Sequence, residues 1–532
     1  MTTTVLGGAR VVGDVLDVAA QRHGTQTAVQ DSTGSLTFVE LRDRARRLAD
    51  GLLRSGLLPG DRVLEALPNS CDLLVSEMAL ALAGLVRVPL NPRLGPSEWR
   101  GIRQDCGARG LIVDAGLRGA DGVAITDVIA CERVFRADAG DLDGLIATGS
   151  ATAVLPQAQP GDTVGLAYSS GTTGLPKGAI RTHAMRLAAA QAMLREVIAP
   201  TGAVGAYLHA GPAIHTSGLF ILPMLALGAR QVMAHHPDPE RIAALIAGEQ
   251  ITHLALVPSV LEALTHLPLG DRAAFDHVRM LASAGAPMPP AQIRRVAERL
   301  TDRLVQYYGL VEAIPPLSVL SIDDHARGLR DEPRLLASAG RIVAEARIEI
   351  SAGAGLGEVV VSGPMVAAGY WNAAERADLG KAFEGAALAT GDIGSIFEGY
   401  LFLTDRTNNM LISGGYNIYP SEVEEAVALC PGLREVVVVG IPDERWGERI
   451  TLVYTTMSGR DLDAMQRRAL RTSLDALSRH KRPKSLHRLA EFPLGATGKI
   501  DRRAVVAHFI AAERTGAEHQ APDSPHERFL TT

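Results

Sequence analysis

An α/β protein with parallel or mixed sheets covered by helices, followed by a smaller unit with an alternation of its own, is predicted by three features of the sequence. From about residue 37 helical and strand-like periods alternate; after residue 340 the texture turns to short β-rich runs between glycines; beyond residue 407 a compact helix and strand alternation resumes. The length of 532 residues fits this layout, since at ~150 residues each it makes roughly three to four lobes.

Taken in order, Thr37 with Glu40 three residues on is a capping-box signature. Leu41, Ala45, Leu48 and Leu52 then repeat on one helical face until Gly56 stops the run. Arg62–Ala66 reads as a strand, Cys71–Leu82 as a helix, Leu85–Leu90 as a strand, and the apolar stretch within Gly161–Ala167 as another. Val197–Ala229 contains no Asp, Glu, Lys or Arg and is long enough by count to span a bilayer. Pro200, Pro212, Pro223, His209 and His215 interrupt it, which predicts a buried strand and helix instead. The beat returns with a strand at Ile251–Val257, a helix at Val260–Leu264 and strands at Val278–Ala282 and Arg303–Tyr308. Short strands follow at Arg347–Ile350, Glu358–Val361 and Tyr400–Leu403, then Asp405-Arg406. The last unit reads as helix Ser421–Leu429, strands Glu435–Val439 and Arg449–Thr455, helix Leu462–Leu477, and a loop carrying Lys499. A boundary near Thr404–Thr407 divides an N-terminal lobe, 1–404, from a C-terminal lobe, 405–510; the polar, aperiodic 511–532 reads as a disordered tail. No internal repeat is visible.

A formal charge of −6 with no long run of like charge gives no basic footprint for nucleic acid and points to small-molecule partners. Cys71, Cys106, Cys131 and Cys430 lie far apart with no C-x-x-C pair, so neither a zinc site nor a disulfide framework is indicated, and a reducing cytoplasmic setting is expected. Met1–Gly13 lacks the basic-then-apolar order of a secretory signal. Of 53 basic residues only five are lysines, Lys177, Lys381, Lys481, Lys484 and Lys499. Against that bias a lysine is kept preferentially where a compact ammonium fits and a planar guanidinium does not. Lys177 and Lys499 both sit in Gly/Thr-rich loops.

The chemistry is concentrated in Tyr168–Gly178, a loop of small and hydroxylated residues ending in lysine. Gly171, Gly174 and Gly178 permit turns that aim successive N–H groups inward, Ser169, Ser170, Thr172 and Thr173 add donors, and Lys177 adds charge, a composition suited to wrapping the polyphosphate of ATP. It is not the common phosphate-binding loop. Leu175 and Pro176 separate Gly174 from Lys177, and Gly178 rather than Ser or Thr follows.

That loop, followed by Tyr308-Gly309 through Glu312, Thr390-Gly391-Asp392, Gly399-Tyr400 through Asp405-Arg406, Gly414-Gly415 through Glu424, and Thr497-Gly498-Lys499, resembles the adenylate-forming family of acyl-CoA synthetases, peptide-synthetase adenylation domains and luciferases. The resemblance spans about residues 15 to 505. It implies a large N-terminal lobe of two sheet-and-helix subdomains plus a distorted β-barrel, and a small α+β C-terminal lobe hinged at Asp405 and Asn408. It implies two half-reactions: a carboxylate attacks MgATP to give acyl-AMP and pyrophosphate, and a thiol, CoA or a carrier-protein phosphopantetheine arm, then takes the acyl group. In this resemblance Lys499 bridges carboxylate and α-phosphate, Lys177 and its loop neutralise the other phosphates, and Glu312 holds Mg²⁺. Asp392 and Arg406 take the ribose, Tyr308 the adenine ring, and the Gly285-Ala286-Pro287 turn its edge, with Gly309 and Val311 also beside the nucleotide. His215, Ser283, Tyr307 and Gly309 border the acid.

Four positions depart from the family pattern. Val311 replaces a threonine whose hydroxyl would help hold the α-phosphate, a bond worth roughly 1–3 kcal/mol if nothing substitutes. Tyr307 replaces a glycine of long-chain members and predicts a compact aryl or short-chain acid. Asn408 stands at the hinge, and Leu494 replaces a basic neighbour of the Lys499 loop. The Arg479–Lys484 run is open to two readings, a site for CoA phosphates or an acidic carrier protein, or a solvated helix end. The reading favoured is a CoA ligase for a small acid, as monomer or homodimer. The alternatives are a stand-alone enzyme loading a carrier protein in natural-product biosynthesis, an atypical relative activating nitrite for diazotisation of an arylamine, and a non-catalytic nucleotide binder.

Overall fold

A computed structural model describes residues 6–119, 122–169, 176–235, 237–268, 275–351, 353, 355–375, 382–406, 409–413, 416–443, 445–495 and 500–515. The chain divides into two compact units, one of Met1–Ser351, Val360–Thr390 and Ile396–Phe402, the other of Ala352–Val359, Gly391–Ser395 and Leu403–Thr532.

The first unit is built on two sheets. Its first fifteen strands are β1 Thr27–Gln30, β2 Ser35–Thr37, β3 Arg62–Ala66, β4 Val86–Pro89, β5 Gly110–Val113, β6 Arg133–Arg136, β7 Thr163–Ser169, β8 Lys177–Thr182, β9 Ala206–His209, β10 Arg230–Met233, β11 His253–Leu256, β12 Met280–Ser283, β13 Leu304–Tyr308, β14 Ser318–Leu320 and β15 Gly340–Ile342. One sheet has the order β6-β5-β3-β4-β7-β8, parallel throughout except for the antiparallel β7–β8 pair. The other contains β15-β14-β13-β12-β11-β9-β10-β1-β2, with a parallel centre from β13 to β1 and antiparallel pairs at either end. Parallel strands covered on both faces read as nearly continuous apolar runs, and Leu254, Leu281 and Leu304 are buried from neighbouring strands in one core while Leu64, Val88, Leu111 and Leu166 are buried in the other.

The helices form where the periodicity places them. Phe38–Arg54 opens on a capping box in which Thr37 Oγ1 accepts from the Glu40 amide at 3.2 Å and Glu40 Oε2 accepts from the Thr37 amide at 2.8 Å. Its predicted face, Leu41, Ala45, Leu48 and Leu52, is fully buried. The uncharged Val197–Ala229 stretch supplies β9 and the helix Ile221–Leu227, and no helix of the described residues is long and apolar enough to cross a membrane. Strand ends differ from the sequence reading by one or two residues at β4, β11, β12 and β13. The four cysteines are unpaired.

In the second unit Gly447–Thr456 lies between the antiparallel Leu433–Asp443 and the parallel Ser485–Arg488, and the helices Pro420–Val427 and Ala464–Asp475 share a core with Val438, Ile450 and Leu452. The strand beginning at Tyr400 runs on through Asp405 to Arg406. The terminal helix Arg502–Thr515 extends into the segment read as a tail, because the apolar spacing of Val505 and Phe509, buried against Val437 and Val453, anchors its start; the rest of that segment, 516–532, lies outside the described residues.

Candidate active site

β7 and β8 flank the glycine-rich loop as an antiparallel pair, with Ser169 opposite Lys177 and Tyr168 opposite Gly178. Ser170, Gly171, Thr172, Thr173 and Gly174, expected to wrap phosphate, lie outside the described residues, as do Lys499 and Asn408. Residues Leu494 and Ile500, on either side of the Lys499 loop, pair as a β-bridge. A Cβ at Gly178 would stand 2.8 Å from Cζ of Tyr168, whose hydroxyl donates to Asp105 Oδ2 at 2.5 Å. Glycine there lets the Tyr168 ring lie close against the backbone.

Glu312 lies just beyond the carboxyl end of β13, held by the Ala313–Val366 bridge and by the Ala367 amide donating to its carbonyl at 2.8 Å. Its Oε1 accepts from Ser169 Oγ at 3.0 Å and from the Tyr370 hydroxyl at 2.9 Å. Lys177 Nζ stands 5.9 Å from the centroid of the Tyr370 ring. Burial, and then the charge of Glu312, raise the Tyr370 pKa, so its hydroxyl remains a donor. One ammonium, one carboxylate and two hydroxyls thus meet beside the loop. Among the described residues no donor reaches Glu312 Oε2 within hydrogen-bond distance. A hard cation that takes one carboxylate oxygen and otherwise phosphate oxygens and water, as Mg²⁺ does, fits this arrangement.

Tyr308 closes β13, and Gly285, Ala286 and Pro287 form an exposed turn beyond the carboxyl end of the adjacent β12, with Gly285 at φ +89°. Ligands in open α/β sheets bind at such strand ends. Gly309 packs so tightly that a Cβ would lie 2.8 Å from the Cα of Pro315. The carbonyl of Val311 accepts from Arg181 Nη2 at 3.2 Å.

His215 precedes the short helix Thr216–Phe220 and lines a cavity with Arg181, Arg186, Ile314 and Pro315. Solvent reaches the ring, yet the surrounding protein, followed by the charges of Arg181 and Arg93, lowers its pKa to about 4 and keeps it neutral. Tyr307 is 4% exposed and meets Phe220 edge-on at 6.1 Å. Ser283 is buried but pairs with Gln306 in register, which puts it on the opposite face of the sheet from Tyr307.

In the second unit Arg406 Nε donates to Asp392 Oδ1 at 2.8 Å, and the Gly391 amide donates to Glu358 Oε1 at 3.0 Å. Asp405 Oδ1 accepts from the Arg406 amide and from Asn409, and its Oδ2 from the Ser421 amide at 3.1 Å, which ties the segment to the helix Pro420–Val427. In the basic run Lys481 is paired with Glu422 and Arg482 with Asp475, each at 2.8 Å. Two residues that sequence reasoning passed over belong to the site: Tyr370, whose only signal is its place in a Gly-Tyr-Trp run, and Arg181, one residue past Ile180 in β8.

The AMP-binding enzyme family model matches residues 16–371, and the AMP-binding enzyme C-terminal domain model matches residues 422–499. A feruloyl-CoA synthase of Amycolatopsis sp is 34% identical over 492 residues, 91% of this chain and 96% of that protein. An indoleacetate–CoA ligase of Aromatoleum aromaticum is 32% identical over 505 residues, covering 92% and 97%. The solved structure of the amide bond synthetase McbA from Marinactinospora thermotolerans superposes with a TM-score of 0.80 at 26% identity, covering 94% of this chain and 100% of that one.

Proposed function

The chain belongs to the AMP-binding enzyme family, and from that premise we propose that it is an ATP-dependent acid–CoA ligase that forms AMP. A carboxylate attacks the α-phosphorus of ATP, pyrophosphate leaves, and CoA sulfur then displaces AMP from the acyl adenylate. The observation that carries the reading is the convergence of Ser169, Lys177, Glu312 and Tyr370 beside the hairpin loop.

Each group has work consistent with its chemistry. The attack brings two anions together, so cations must screen both. Lys177 neutralises the terminal phosphates and Lys499 bridges the reacting carboxylate and the α-phosphate. Glu312 would hold Mg²⁺, which would supply charge neutralisation on the phosphates, while Ser169 and Tyr370 orient its carboxylate. Asp392 with Arg406 binds the ribose, Tyr308 stacks on adenine, and the turn at Gly285 offers backbone groups to the base. His215, held neutral, borders the carboxylate without adding a competing charge. A compact acid is the reading that Tyr307 supports, a buried ring two residues before Gly309. CoA is the acceptor that both curated relatives' names support; a carrier protein is the finer alternative that the test below separates.

The test is release of AMP from MgATP across small aryl and alkyl acids, with free CoA present or absent. AMP and an acyl-CoA thioester are expected together. Absence of AMP with every acid overturns the reading, and an adenylate that transfers to a phosphopantetheinylated carrier but not to CoA moves the assignment to the carrier protein.

A further inference from the structure

The cavity beside His215 measures about 40 Å³, where one water needs roughly 10–15 Å³. Its charged lining is Glu77 and three arginines, Arg87, Arg181 and Arg186; the rest of the wall is apolar or backbone apart from His215. Two of the arginines are balanced. Arg87 pairs with Glu65 at 2.5 Å and with Glu77 at 3.1 Å, and Arg186 pairs with Glu77 at 2.7 Å. Arg181 is not: its Nη2 donates to the Val311 carbonyl, its Nε is buried without a hydrogen-bond partner, and no carboxylate among the described residues lies within ion-pair distance. Burial and then the charge of Arg186 lower its pKa to about 10, so it stays cationic at neutral pH, with Glu312 offsetting only part of the effect. A guanidinium in this condition is costly unless an anion joins it.

Tyr207 stacks on Phe220 at 4.8 Å and Phe220 meets Tyr307 at 6.1 Å, all three nearly inaccessible. Aromatic rings thus fill this part of the sheet face, and the cavity that His215 lines is the small cationic one.

We propose that the acid this enzyme activates carries a second anionic group, as in a short dicarboxylate, and that Arg181 holds that distal carboxylate in the cavity. The inference rests on the ligase reading above and names its substrate class. The planar guanidinium can meet a carboxylate through two parallel N–H donors, a geometry that a hydrocarbon or an ester leaves unmatched. β8 supplies the spacing: Lys177 and Arg181 point to the same side of the strand four residues apart, ~13 Å along it. One end serves the phosphates and the other the far end of the acid.

The experiment compares short aliphatic and aromatic dicarboxylates with their monomethyl esters and with the hydrocarbon monoacids of equal length, read as kcat/KM for AMP release with MgATP and CoA. The best diacid should exceed its half-ester by about 100-fold or more, since a site built around a polar group strongly rejects an analogue lacking it. In Arg181→Met that ratio should collapse to near unity, and in Arg181→Lys it should recover in part. A wild-type enzyme that uses half-esters or hydrocarbon acids as well as diacids overturns the proposal without any variant. So does an Arg181→Met enzyme in which both classes fall in equal proportion, because that is the signature of a purely structural arginine. Release of AMP from monoacids alone refutes the diacid and leaves the ligase reading standing, whereas no AMP from any acid removes both.

Discussion

Glu312 illustrates why a carboxylate at a strand end is more than a charge. Two hydroxyl donors fix Oε1, so the orientation of the whole group is set before any ligand arrives. A hydrogen bond to a charged group contributes about 1.5–3 kcal/mol, and Tyr370→Phe is therefore expected to raise the Mg²⁺ concentration for half-maximal adenylation by about 10-fold while leaving thiolysis of preformed adenylate unchanged. Titration of pyrophosphate exchange against Mg²⁺ checks it, and an unaltered midpoint would assign Tyr370 to packing alone. Lys499 is proposed to act in the same half-reaction, on the charge that develops as the carboxylate attacks. One donor aimed at developing charge is worth ~10²–10³ in rate, so Lys499→Ala should lose about that factor in pyrophosphate exchange and far less in thioester formation from adenylate supplied directly. Exchange at the wild-type rate contradicts the role. Both lysines of the proposed mechanism were visible in the sequence because lysine is scarce in this chain. Tyr370 and Arg181 were not, because their partners lie 58 and 130 residues away and nothing local marks them.

At the scale of elements, the β7–β8 pair brings Lys177 and Ser169 together at the two strand ends that flank the glycine-rich segment. The antiparallel register places Lys177 directly across from Ser169, so the chain leaves and re-enters the sheet at one point. Gly178 keeps that register close. Alanine there would push its Cβ against the Tyr168 ring, which would have to shift from its hydrogen bond to Asp105. Gly178→Ala is expected to cost about 1–3 kcal/mol of stability and to raise KM for ATP, a pair of effects read by thermal melting and by nucleotide titration. An unchanged KM would separate the hairpin from the nucleotide. Elements of this kind were legible where period and punctuation agreed: the Thr37 capping box, Arg62–Ala66 and Cys71–Leu82 fall where the pattern puts them. The expected tail was read too long, because Val505 and Phe509 bury one face of a helix whose later residues carry no apolar period.

Over the whole molecule, the sheet alternation was written in the sequence, but which buried polar groups the packing would enclose was not, since burial is a property of neighbours that the chain acquires only on folding. Four histidines show the consequence. His183, His209, His253 and His325 are at most 1% exposed, and burial is the first cause that lowers each pKa to about 4. His183 is the clearest case, because its Nδ1 accepts the Val12 amide at 3.1 Å and a proton there would break the bond. In the unfolded chain histidine titrates near 6.5. Between about pH 6.5 and 4 the unfolded state therefore binds more protons than the native one, so stability is full above this window and falls as the pH drops through it. Each such histidine contributes up to about 1.4 kcal/mol per pH unit, and four together outweigh any single surface pair. The urea midpoint, followed by near-ultraviolet dichroism, should hold steady from pH 8 to 7 and decline steeply from pH 6 to 5. His183→Asn, which keeps an acceptor for the Val12 amide but cannot take the proton, should make that decline shallower by about one histidine's share. A midpoint that is flat from pH 7 to 5 would mean that these rings are protonated in the native state and that their charge is accommodated inside the fold.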